Sequence, residues 1–354
     1  MLVTDLEAIR SSILAPDAVS AEAARSRQAQ LTKPLGSMGR LEDLSVQLAG
    51  LRRDPRPEVD RKAVIIMAAD HGVVAQGVSA YPSEVTPQMV LNFLAGGAAI
   101  NALARQAGAR VSIVDIGVAA DMSTYEGLLH RKVALGTADF TRGPAMTAKQ
   151  ARAALQVGID VVSEEHEKGL DLVATGEMGI GNTTAASAVT CALTGRSAAE
   201  VTGRGTGVDD AGLSRKVAAI DKGLAANAPD ANDAFDVLCK VGGLEIAGLA
   251  GVIIGAAVLR IPVVIDGFIS GTAALVAVGL APEVRPYLIA SHRSVERGHQ
   301  VVLDYLAIRP LFDLDLRLGE GTGAALAFHM IEASVRILNE MATFAEAGVS
   351  GKED

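Results

Sequence analysis

Three short stretches combine glycines with residues able to do chemistry. In "RLGEGTGAALA" (317–327) a single carboxylate, Glu320, stands between two glycines just ahead of an Ala-rich helical run. A carboxylate at a helix start is favoured by the helix dipole. Glycine on both sides costs conformational entropy and is usual where a ligand comes close to the backbone. In "GEMGIGNTTAAS" (176–187) a glycine-rich turn leads into a helix beginning Asn-Thr-Thr. Bare backbone amides and a helix N-terminus suit a phosphate. The spacing matches neither a Walker A loop nor a dinucleotide fingerprint. Glu177 inside this turn would repel the anion that the turn attracts, so a plain structural turn does not explain it. "GRGTGVDD" (203–210) is a second such turn, and the helix after it carries Lys216, able to supply a point charge to a phosphate.

Two further sites are less specific. Asp70-His71-Gly72 ends an apolar run and fits an acid/base or metal pair, but the six histidines show no metal-binding spacing. A polar network behind a binding loop is the simpler reading. Asp266 follows "VVI" and can hold a ribose hydroxyl or fix nearby loops, while Ser291, His292 and Ser294 follow "YLIA". The two serines can donate to a phosphate, or cap.

The elements that must position these residues alternate in type. "AVIIMAAD", "RVSIVDIG", "DLVATGE", "IPVVIDG" and "PYLIASH" read as strands, their apolar runs suiting a parallel sheet buried on both faces. Nearly all end in a polar residue, and ligands of open α/β sheets bind beyond the carboxyl ends of strands. Between them lie helical segments. Pro87 suits the first turn of one running through "QMVLNFLAGGAAINALARQAG", Thr147 caps another, and others begin at Asn182 and near Asp209. The expected fold is α/β, a Rossmann-like parallel sheet flanked by helices, at residues 61–320. Residues 1–60, broken at Pro34-Leu35-Gly36, and 321–354 are expected to form a smaller helical domain. The tail after Gly348 reads as frayed.

A chain of 354 residues can bury a large core. A formal charge of −9 with scattered Lys and Arg argues against nucleic-acid or anionic-membrane partners. Mean hydropathy is +0.31, yet the most apolar window, Ile246 to Leu259, is about 14 residues against the roughly 20 of a spanning helix, so it reads as a core helix. Cys191 and Cys239 form neither a disulfide framework nor a metal motif. The N-terminus shows no export signal, and a reducing cytoplasm is the expected location.

Together "KPLGSMGRLE", "ADHGV", "GEMGIGNTT", "GRGTGVDD", "VIDGFISGTAAL", "ASHRSVERGH" and "LRLGEGTGAALA" resemble, in order, the signatures of the nicotinate-nucleotide:dimethylbenzimidazole phosphoribosyltransferase family of cobalamin biosynthesis. The resemblance spans roughly Leu31 to Gly348. It implies a homodimer without cofactor or metal that moves phosphoribosyl from nicotinate mononucleotide to 5,6-dimethylbenzimidazole, with inversion at C1′. It places the catalytic base at Glu320 and a second functional acid at Glu177. It also implies phosphate or ribose contacts at Gly179, Gly181, Asn182 and Thr183, phosphate ligands at Lys216 and Ser294, an anion partner at Arg317 and a ribose contact at Asp266. Tyr81, Met89 and Met178 fall where the family lines its base pocket. That lining varies, so another benzimidazole, a purine or a phenolic base is an alternative acceptor.

Two readings of other classes stand beside this one. A metal-dependent phosphohydrolase would use Asp70, His71, Asp115 and Asp266. A non-catalytic protein would bind the nucleotide without turning it over.

Overall fold

Strand β1 (Lys62–Ala69) is buried at every position, and its side chains divide by the two-residue period of a strand. Ala63, Ile65, Met67 and Ala69 join one core, while Val64, Ile66 and Ala68 join another on the opposite face. This double burial explains the continuous apolar run. In the computed structural model, which describes residues 6–350, β1 is the centre of a six-stranded, all-parallel sheet. The other strands are β2 (Ala109–Gly117), β3 (Leu128–His130), β4 (Leu172–Met178), β5 (Val263–Ile265) and β6 (Leu288–Ala290). Five lie where the apolar runs place them. The sixth, β3, was not expected: three residues on the edge of β2 carry too little pattern to be read.

The strand order is β3-β2-β1-β4-β5-β6. The chain therefore winds outward in one direction from β1 and in the other from β4, which puts the topological switch between them. Met67 pairs with Glu177 and Ala68 with Met178 across that junction. The two strand ends bearing Asp70-His71 and Glu177 are thus neighbours.

Helix Leu244–Val258 is buried from Leu244 through Ala257 and packs on helix Ala148–Glu167. A Cβ at Gly158 would stand 1.9 Å from the Gly248 carbonyl oxygen, so the two backbones meet directly. Thr147 caps helix Ala148–Glu167, its hydroxyl accepting the Gln150 N–H. No helix among the described residues is long and apolar enough to cross a membrane. One expectation needs correction: the segment after Pro87 is two helices, Val85–Leu94 and Ala99–Ala107. Gly96, at φ +75°, ends the first, and the Asn101 carboxamide restarts the chain by accepting the Ala98 N–H.

Helices Ala18–Gln30, Arg40–Arg52 and Thr322–Glu340 pack together, with Ala24, Ala49 and Leu338 at their meeting point. Leu44, Leu48, Phe328 and Ile331 from the last two continue into the core on one face of the sheet. Leu31 bridges Thr343, tying the two ends of the chain. The start of the stretch read as lacking an export signal (1–5) and the end of the frayed tail (351–354) lie outside the described residues.

Candidate active site

A cavity of about 470 Å³ opens beyond the carboxyl ends of the strands, lined among others by Tyr81, Glu177, Thr183, Ser294, Arg317 and Gly319. Glu177, the penultimate residue of β4, is buried, and the Asn182 carboxamide donates to its Oε2. Burial pushes its pKa up to about 8, aided by the negative charges of Asp266 and Glu245. At neutral pH it is chiefly a neutral acid. A carboxyl in this state does not repel an anion, which answers the difficulty raised by an acid in a phosphate-type turn.

Glu320 lies in a run of three left-handed residues, with φ of +87° at Gly319, +63° at Glu320 and +93° at Gly321. For a residue with a Cβ this conformation costs on the order of 1–3 kcal/mol and collects at functional sites. Its Oε2 accepts the Ile100 N–H at 3.3 Å. Burial raises its pKa above the ordinary carboxylate value, against that hydrogen bond. The flanking glycines have a cause within the protein itself. A Cβ at Gly319 would stand 2.3 Å from Glu177 Oε1, and one at Gly321 2.7 Å from Val64 Cγ1. Protein occupies the space that a Cβ would need at both, and Gly319 also borders the cavity.

Helix Thr322–Glu340 begins on Gly321, which has no side chain to cap it. Asp266, from the end of β5, supplies the cap: its Oδ2 accepts Gly321 N–H at 3.1 Å and its Oδ1 accepts Ala324 N–H at 3.0 Å. Burial pushes Asp266 up to about 7 even so.

Behind Thr183 and Gly205 of the cavity wall, the Lys216 ammonium, 1% exposed, donates to Thr183 Oγ1 at 2.8 Å. Burial lowers its pKa to about 8. Thr183 is the second residue of helix Asn182–Thr194, so ammonium, hydroxyl and helix N-terminus converge. Gly205, at φ +53°, passes so close that a Cβ would touch Thr183 Oγ1 at 2.8 Å. Its N–H donates to Glu296 Oε1 at 2.9 Å, and Ser294 Oγ accepts Glu296 N–H. His299, which burial keeps neutral with a pKa lowered to about 3, accepts Ser294 N–H on Nδ1.

The remaining strand-end acids are engaged within the protein. Asp70 Oδ2 accepts Ala119 N–H, Asp115 pairs with Lys132 at 3.1 Å, and His71 pairs with Glu245 at 2.9 Å. Asp70, His71, Asp115 and Asp266 therefore do not form one open ligand set.

Among the residues singled out in the sequence, Tyr81, Glu177, Thr183, Ser294 and Arg317 share the cavity wall. Tyr81 is half exposed and Arg317 exposed at the rim. Gly179 and Gly181 shape the turn beneath Asn182; a Cβ at Gly179 would stand 2.3 Å from the Ala69 carbonyl oxygen. Met89, on helix Val85–Leu94, and Met178, at the end of β4, are half-buried against the core on the opposite face, the one containing Ile100. They stand outside the cavity wall, as do Asp266 and Glu320. Sequence reading missed Glu245, Glu296 and the Ile100 amide. Glu245 had a visible signal, one acid heading the most apolar helix of the chain.

The whole chain has close relatives. A family model described as phosphoribosyltransferase matches residues 13–349. A relative from Chloroflexus aggregans named nicotinate-nucleotide--dimethylbenzimidazole phosphoribosyltransferase is 62% identical over 338 residues, which is 96% of each chain. A relative of the same name from Geobacter sulfurreducens is 56% identical over 340 residues, 96% of this chain and 97% of that one. The crystal structure of CobT from Thermus thermophilus matches with a TM-score of 0.91 at 49% identity, covering 94% of this chain and 99% of that one. Matched over nearly its whole length in sequence and in fold, the chain belongs to the phosphoribosyltransferase family of these relatives.

Proposed function

We propose that this enzyme transfers the 5-phosphoribosyl group of nicotinate mononucleotide to 5,6-dimethylbenzimidazole, releasing nicotinate and forming α-ribazole 5′-phosphate. The observation that carries this reading is the set of groups gathered at the strand ends in a chain of this family. A buried ammonium lies beside a helix N-terminus whose first residue, Asn182, donates to Glu177, and Glu177 and Glu320, both with raised pKa, meet at the same backbone junction.

The chemistry asks for little more. Nicotinate leaves C1′ as a pyridine nitrogen that is cationic beforehand and neutral afterwards, so its departure needs no general acid. The attacking benzimidazole is neutral and ends with a surplus proton on its other ring nitrogen, so one base is needed. Glu320 is the proposed base: Ile100 N–H holds Oε2, and the raised pKa suits an imidazolium-type proton. Attack opposite the leaving ring inverts C1′ through a transition state of oxocarbenium character. Positioning two rings about one sugar is then the protein's main contribution. Lys216, Thr183, Ser294, Gly179 and Gly181 are proposed to hold the phosphate, with Arg317 at the rim as a further anion partner. Asn182 and Asp266 are proposed on the ribose side. Glu177 is proposed to face the pyridinium, whose charge would draw off its proton. Tyr81, Met89 and Met178 are proposed to line the acceptor-base pocket, where polarizable and aromatic groups suit a flat ring.

We further propose a cytoplasmic homodimer, and a smaller domain formed by residues 1–60 and 321–354. The family resemblance supports the homodimer, the two free cysteines support the location, and the packing of the terminal helices supports the smaller domain.

The test is a chromatographic assay of purified protein with nicotinate mononucleotide and a panel of bases, with and without chelator. Stoichiometric nicotinate and α-ribazole phosphate, indifferent to chelator, support the reading. Nicotinate released without a nucleotide product would indicate hydrolysis, and binding without turnover would indicate a carrier. A preferred base other than dimethylbenzimidazole would revise the acceptor alone.

A further inference from the structure

The Asp70-His71 strand end has no part in the transfer just described, yet it is one of the most completely buried charged places in the chain. His71 is 3% exposed and Glu245 0%, with Nε2 and Oε1 2.9 Å apart. Burial works against a charged imidazole, but the Glu245 carboxylate outweighs it and raises the His71 pKa. Charges survive such burial only when paired. The backbone on either side of His71 is fixed, since Gly72 N–H donates to the Thr137 carbonyl and Asp70 O accepts Thr137 N–H, both at 3.0 Å.

The ring is clamped between two elements. On one side is the turn that follows Glu177: a Cβ at Gly181 would stand 3.3 Å from His71 Cβ, and one at Gly179 3.4 Å from Nε2. On the other is the start of helix Leu244–Val258, where a Cβ at Gly243 would stand 2.6 Å from both His71 Cε1 and Glu245 Oε2. Asn182, the first residue beyond the turn, donates to Glu177. A continuous set of contacts therefore runs from Glu245 through His71 and the turn to Glu177.

We propose that the buried His71–Glu245 pair is a positioning unit for Glu177, holding the Gly179–Gly181 turn, and Asn182 with it, against the end of β4. The inference rests on the reading of Glu177 as a functional acid. Glu177 is faced by Glu245, by Asp266 from β5 and by Glu320 from the loop before helix Thr322–Glu340, with Asn182 as its hydrogen-bond donor. His71 is faced by Glu245 and Asp70. Glu245 is one of the buried negative charges that raise the Glu177 pKa, and His71 is the side chain paired with it. Without Glu245 that influence on Glu177 is lost, and without His71 the buried Glu245 carboxylate has no partner to keep it charged, so both replacements should lower the Glu177 pKa.

The experiment titrates carboxyl carbons in ¹³C-glutamate-labelled protein, with Glu177→Gln assigning the signal, in the parent, Glu245→Gln, His71→Gln and the double variant. A downward displacement of the Glu177 midpoint is expected in both single variants. So is a fall in kcat of up to ~100-fold, the scale for displaced catalytic groups, with a smaller change in KM. A midpoint that does not fall in either single variant, or an unchanged kcat, would overturn the proposal. If His71→Gln does not fold, Glu245→Gln and the double variant still decide it: a fixed midpoint in both overturns it, and a downward displacement in Glu245→Gln supports it. Titration needs no turnover, so failure of the transferase reading would show separately, as absent product in the parent.

Discussion

Gly319 leaves room for Glu177: a Cβ at position 319 would stand 2.3 Å from Glu177 Oε1. The relation is reciprocal, because a Cβ at Gly176, the residue before Glu177, would stand 2.4 Å from the Glu320 carbonyl oxygen. Each acidic turn carries the glycine that admits the other. The two carboxyls are therefore placed by a single backbone junction between β4 and the start of helix Thr322–Glu340.

Gly319→Ala should break that junction. It adds both a left-handed Ala, costing roughly 1–2 kcal/mol, and a methyl where the Glu177 carboxyl lies. The expected result is a kcat lowered by as much as ~100-fold, from displaced groups more than from lost binding. Gly108→Ala separates the two causes, since Gly108 has φ +62° and nothing within 4 Å. That variant should lose stability but keep kcat; equal kcat losses in both would mean that strain alone is responsible.

Glu177 should also make stability fall with pH. Its folded pKa of about 8 exceeds the ordinary value of 4.5, so the folded protein holds a proton that the unfolded chain has released. This stabilisation is complete below the ordinary carboxylate range and is lost as pH rises through about 8. Asp266, at about 7, acts in the same direction. His292 and His299 act oppositely, losing stability as pH falls from 6.5 toward about 4 and about 3. Both histidines remain in Glu177→Gln and cancel in the difference. Thermal melts should show Glu177→Gln matching the parent near pH 4.5 and exceeding it by several degrees at pH 8.5, at about 2–4 °C per kcal/mol. A constant difference across pH would mean that the folded pKa is not raised.

How far the sequence reveals these relations depends on their range. Strands β1, β2, β4, β5 and β6 are legible because burial on both faces leaves unbroken apolar runs, and Thr147 because a cap is a local signal. The left-handed turn at Glu320 is half legible: the glycines show that space is short, while what occupies it, Glu177 and Val64, comes from strands 140 or more residues away. Asp266 likewise reads as a ligand candidate, yet both its oxygens cap a helix that begins on Gly321. Glu245 escapes because its partner, His71, is joined to it only by the packing of helix Leu244–Val258 on the sheet.

Lys216 should govern nucleotide binding and leave the base alone. Its ammonium is buried with Thr183 at the helix N-terminus, far from water that could replace it. Lys216→Met keeps the volume and removes the charge. A charge-assisted hydrogen bond is worth roughly 1.5–3 kcal/mol, so KM for nicotinate mononucleotide should rise ~10–100-fold. KM for dimethylbenzimidazole should change little. Because burial already disfavours the ammonium, the variant should melt no lower than the parent. An equal rise in both KM values would show that Lys216 supports the whole cavity instead of the phosphate end.

Glu320→Gln tests the assigned base with the least disturbance. The Gln carbonyl can still accept Ile100 N–H, and the backbone keeps its left-handed turn, so geometry is retained while the proton acceptor is removed. General-base catalysis contributes about 10²–10⁴-fold, and kcat should fall by that factor with KM little changed. The pH profile gives the sharper readout. A base works once deprotonated, and burial raises the Glu320 pKa, so the parent's kcat should climb with pH through a midpoint above the ordinary carboxylate range. In Glu320→Gln that limb should vanish, leaving a low rate flat in pH. Should the limb survive there and disappear in Glu177→Gln, the proton belongs to Glu177, and the two acids exchange roles across the junction that Gly176 and Gly319 make between them.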